Sequence, residues 1–93
     1  MPRPRSVVSN TESIFAANIA AARAARNWTL ARLSVETGGV VRPTAIWKSE
    51  RDGRRVTVGE AVALCAALDL DLHAATSRPL TFRVQVEYAE EEK

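Results

Sequence analysis

The sequence predicts a mainly α fold of five helices with one C-terminal β-strand, and three observations carry that prediction. Apolar residues recur at helical spacing from Ile14 to about Ala75, Ser/Thr caps and glycines cut that stretch into short pieces, and beyond Pro79 the period drops abruptly to two. A chain of 93 residues, 46% hydrophobic and 26% charged, has room for one small core. No apolar run nears the roughly 18 residues that would cross a membrane.

Residues 1–10 hold Pro2, Arg3, Pro4 and Arg5 without an apolar period, and are expected to form an extended basic arm. Asn10 or Thr11 can cap a first helix, in which Ile14, Phe15, Asn18, Ile19, Ala22 and Arg26 share a face and which ends near Asn27. Thr29 offers the next N-cap. Leu30, Leu33, Ser34 and Thr37 line one side of a short second helix that Gly38 and Gly39 terminate. Pro43 suits the first turn of a third helix, where its missing N–H would have had no partner, and that helix is expected to run to about Ser49 or Glu50.

Asp52 and Gly53 mark a turn, after which Thr57 caps a fourth helix with Val58, Ala61, Val62, Leu64, Cys65 and Leu68 toward the core. Asp69 to Ala75 is expected as a short fifth helix. The remaining core assignments are Ile19, Leu33 and Ile46. The domain therefore spans 11–76, followed at 77–93 by a strand and an acidic tail.

In that strand Leu80, Phe82, Val84, Val86 and Tyr88 alternate with polar residues, giving one apolar face. No other segment alternates, so its backbone groups must pair elsewhere. One solution is the same strand of a second chain, which makes these five residues a homodimer interface. The other is packing against the chain's own helices.

Charge is unevenly distributed. The net is +2, yet residues 1–86 hold twelve bases and seven acids, while EYAEEEK at 87–93 carries four acids and one base. The stretch from Arg23 to Arg55 has eight bases against Glu36, Glu50 and Asp52. Such a concentration suits a polyanion, because each neutralised phosphate releases counterions; a solvated basic face is the alternative.

Enzymatic chemistry has no support. There is no glycine-rich phosphate loop, no nucleophile elbow and no histidine-based acid–base pair, so neither catalysis nor a cofactor is expected. His73 stands alone as a surface residue, without the neighbours a metal site needs. Cys65 sits in an alanine-rich run and is expected as a small buried hydrophobe, not a reactive thiol. The basic start MPRPRS is followed by no apolar signal core, which points to the cytoplasm.

Three segments, ARAARNWTLARLSVETGG, then Lys48-Ser49-Glu50-Arg51, then VTVGEAVALCAALDLDL, resemble the lambda-repressor-like, Xre/Cro-type helix-turn-helix family over about Ile14 to Ala75. Twelve positions separate Gly38 from Glu50, and TGGVVRPTAIWKSERDGRRVTV is similar to the longer turn of BldD-like actinobacterial regulators. The resemblance implies a sequence-specific double-stranded DNA-binding transcriptional regulator, nucleoid-associated and Cro-like in economy. It would be a homodimeric repressor on a near-palindromic operator, of phage or mobile-element kind, or an autoregulating antitoxin. Helix three would then read bases through Arg42, Thr44 and Lys48, with Pro43 limited to apolar contact and Trp47 either wedged against DNA or packed on the turn.

By the same resemblance, Arg32, Arg51, Arg54 and Arg55 would meet phosphates, and Glu50 would pair with Arg23 to orient helix three. Arg3 and Arg5 would either enter the minor groove or form an incidental basic tail. A rival expectation is a protein-interaction module of the same fold that binds a toxin or antirepressor, favoured by Pro43, Trp47 and the acidic end.

Overall fold

A computed structural model describes the backbone of residues 5–52 and 56–83, and side chains over 11–51 and 56–83. Five helices follow in order: α1 Arg5–Ala25, α2 Leu30–Glu36, α3 Pro43–Asp52, α4 Val58–Leu68 and α5 Leu72–Ser77. α1 packs on α3, α4 and α5, and α2 packs on α3 and α4. Phe15, Ile19 and Ala22 of α1 meet Leu33 of α2, Val41 before α3, Ile46 of α3, Leu64, Cys65 and Leu68 of α4, and Ala75 of α5 in one core.

The caps explain most boundaries. Thr29 accepts from the Arg32 N–H at the start of α2. Thr57 and Glu60 form a reciprocal capping box that opens α4. Asp71 accepts from the Ala74 N–H and so starts α5 later than expected, because Asp69 is already spent as the left-handed C-cap of α4 at φ 58°. α3 likewise runs on through Asp52.

α1 begins at Arg5, so Asn10 and Thr11 lie within it instead of capping it, and the backbone at 5–10 is helical where an extended arm was expected. No proline or glycine occurs between Arg5 and Ala25, and the polar residues there cost a helix only tenths of a kcal/mol each, roughly. Val58 and Val62 also depart from expectation: they are 77% and 50% exposed, not core. α4 is apolar nearly all round, so periodicity could not rank its valines; the core takes the face of Leu64, Cys65 and Leu68.

No strand occurs among the described residues. Leu80 and Phe82 are half-buried against the chain's own core, while Val84, Val86 and Tyr88 lie outside the described residues. Buried Asn18 makes this attachment. Its amide donates to the carbonyls of Ala75 and Arg78, both at 2.9 Å, and its carbonyl accepts from the Leu80 N–H at 2.9 Å. One side chain thereby ties the end of α5 and the outgoing chain to α1. No helix among the described residues is long and apolar enough to cross a membrane.

Candidate nucleic-acid interface

The connection from α2 to α3 is held by its own hydroxyls. Gly38 and Gly39 both take positive φ, 74° and 81°, which an L side chain adopts at a cost. The buried Ser34 hydroxyl donates to the Val41 carbonyl at 2.7 Å, and the Val41 N–H donates to the Thr37 hydroxyl at 3.2 Å. Thr37 in turn donates to the Ser34 carbonyl at 2.6 Å. Val41 is thus gripped from both sides, one residue before Arg42, whose carbonyl accepts the first helical bond of α3 from the Ile46 N–H. The start of α3 is a fixed point.

The rear of α3 is fixed as firmly. Ile46 is fully buried, and the buried Ser49 hydroxyl bonds back to the Ala45 carbonyl at 2.9 Å. Glu50 receives Arg23 in a bidentate pair, Nε to Oε2 at 2.8 Å and Nη2 to Oε1 at 2.9 Å. Arg23 donates from Nη1 to the Trp28 carbonyl at 2.7 Å as well, so one guanidinium joins α1, the α1–α2 connection and α3. The hydrogen bond to Glu50 outweighs the desolvation of Arg23 and holds its pKa above the ordinary value.

The front of α3 is the opposite. Thr44, Trp47, Lys48 and Arg51 recur at helical spacing and all face solvent, with exposed Arg42 and Pro43 at the helix start. The side chains of Arg42 and Lys48 carry no hydrogen bond or ion pair among the described residues. They line, with Thr44, Ala45, Val40 and Glu60, an open groove of about 500 Å³. Trp47 is 45% exposed and so is not packed into the core; the Arg51 guanidinium lies over its ring, 4.9 Å from the centroid.

Among the other expected contacts, only Arg32 has a described side chain. Arg32 is exposed on α2, paired with Glu36 at 2.8 Å and stacked on Trp28 at 4.8 Å. Arg26 covers the same ring at 5.1 Å and donates to the Leu68 carbonyl at 2.9 Å, capping the end of α4. Arg54, Arg55 and Arg3 lie outside the described residues, as does the side chain of Arg5. Cys65 is buried, and burial first, with the charge of Asp71 after it, pushes its thiol pKa up, which disfavours the thiolate.

Sequence reasoning missed the Ser34–Thr37–Val41 lacing, the Asn18 tie and the stacking of Arg51 on Trp47. The first had a signal in Ser34 and Thr37, three apart just before two glycines, and the last in an aromatic–arginine pair at i,i+4. The Asn18 tie had none, since its partners are backbone groups far along the chain. No protein-family model, curated protein or solved structure matches this chain.

Proposed function

We propose that the chain is a sequence-specific double-stranded DNA-binding transcriptional regulator of the lambda-repressor-like helix-turn-helix class, with α3 as its reading helix. The observation that carries this reading is the contrast across α3: a rear locked by Ile46, Ser49 and Glu50, and a front of exposed Arg42, Thr44, Trp47, Lys48 and Arg51 whose Arg42 and Lys48 have no protein partner among the described residues. Uncompensated cations on a rigid helix suit the major groove, where guanine edges and flanking phosphates accept hydrogen bonds. Arg32 and Arg51 would hold phosphates, and the described site needs no cofactor for this role.

The regulator would act as a homodimeric repressor in the cytoplasm, its two α3 copies in successive major grooves about 34 Å apart on a near-palindromic operator. The apolar alternation from Leu80 to Tyr88 supplies the pairing element, and Leu80 and Phe82, half-buried on their own domain, would anchor it there. Selection of bound sites from a random duplex library tests the reading. An inverted repeat is expected from the wild-type chain, and loss of sequence preference from the Arg42→Ala/Lys48→Ala double variant; a double variant that still selected the same repeat would remove α3 as reader.

A second reading rests on exposed Val58 and Val62 of α4 together with exposed Val35 and Val40, which would favour a protein-interaction module binding a toxin or antirepressor. Failure of the folded wild-type chain to enrich any sequence would favour it.

A further inference from the structure

We infer that this face reads guanine and thymine directly and makes no bidentate contact to adenine. The inference rests on the DNA-binding reading above and sharpens its ligand. Adenine is read bidentately by a carboxamide, which can accept from N6 and donate to N7 together; cytosine N4 needs an acceptor. From Trp28 to Asp52 there is no Asn or Gln.

Most acceptors in this region with described side chains are committed to the fold. Glu50 is held bidentately by Arg23, Glu36 commits Oε2 to Arg32, and Glu60, which lines the groove, commits Oε1 to the Thr57 N–H in the capping box. Ser34, Thr37 and Ser49 are buried and bonded to backbone, and Thr29 caps α2. What faces outward is donor-only, in Arg42, Lys48 and Arg51, or apolar, in Pro43 and Trp47, with Thr44 the one uncommitted hydroxyl.

Donor-only groups match the paired O6 and N7 acceptors of guanine. Apolar surface and the Thr44 methyl match the C5-methyl of thymine. Arg42, Thr44 and Lys48 line the same groove, so they would address neighbouring base pairs and not scattered ones.

The test uses the full chain and its selected site, resynthesised with single-atom changes. Replacing guanine by 7-deazaguanine, which lacks the N7 acceptor, should weaken binding about tenfold at each contacted position. Uracil in place of thymine should cost a few-fold, and 7-deazaadenine should change affinity less than twofold. Site selection that fails altogether overturns both this inference and the DNA-binding reading. A selected site that binds well yet is sensitive to 7-deazaadenine and indifferent to 7-deazaguanine overturns the inference alone.

Discussion

The two faces of α3 treat charge in opposite ways. On the rear, Arg23 and Glu50 are matched atom for atom, with side chains only 23% and 9% exposed, and the pair joins two helices and a loop. On the front, Arg42 and Lys48 have no partner among the described residues, and Arg51 leans on an exposed tryptophan. A protein gains little stability from isolated exposed cations, whereas a paired charge withdrawn from water is costly to orphan. The rear therefore serves the fold, and the front is free to serve a ligand.

Breaking the rear should have the largest effect. Glu50→Ala is expected to destabilise by about 3 kcal/mol, the low end for a buried pair broken from one side because Arg23 keeps some solvent contact. Thermal unfolding would register it as a fall of several degrees. A loss no greater than that of a surface substitution would mean the pair is incidental. Asn18→Ala comes next, at about 2 kcal/mol, since it leaves backbone groups of Ala75, Arg78 and Leu80 unpaired. Protease sensitivity should rise after Ser77 in that variant, and an unchanged cleavage pattern would argue against the tie.

Gly38→Ala should cost about 1 kcal/mol: the space around an added Cβ is open, so only the positive φ is charged against it. Denaturant titration would detect that, and a neutral result would show that the turn relaxes. At the other extreme, Arg42→Ala/Lys48→Ala should leave stability within about 0.5 kcal/mol while removing DNA discrimination. A strongly destabilised double variant would erase the contrast between the two faces. Cys65, finally, should alkylate slowly in the folded chain and quickly in denaturant, because burial raises its pKa and hides the sulfur.

The sequence was most legible where local chemistry decides. Thr29, Thr57 and the Gly38–Gly39 pair act within a few residues of themselves, and helix ends followed them. It was least legible where the deciding partner is distant or the signal is degenerate. Asn18 showed only as a polar residue on an apolar face, although its partners lie at Ala75, Arg78 and Leu80. Val58 and Val62 were indistinguishable by spacing from their buried neighbours on α4. For the candidate site, the exposure of Arg42, Thr44 and Lys48 follows from α3's period, and the stacking of Arg51 on Trp47 was signalled by their i,i+4 spacing on that helix.

The central claim, that the front of α3 exists to meet nucleic acid, is tested most directly by the affinity of the full chain for duplex DNA as salt is raised. With roughly four phosphate contacts per subunit of a dimer, from Arg32, Arg51, Arg54 and Arg55, the logarithm of affinity should fall with the logarithm of salt at a slope of about −7, and Arg51→Ala, which removes one contact from each α3, should flatten it by about 2. A folded protein that shows no duplex binding at low salt, or binding whose slope is the same with and without Arg51, would contradict the account.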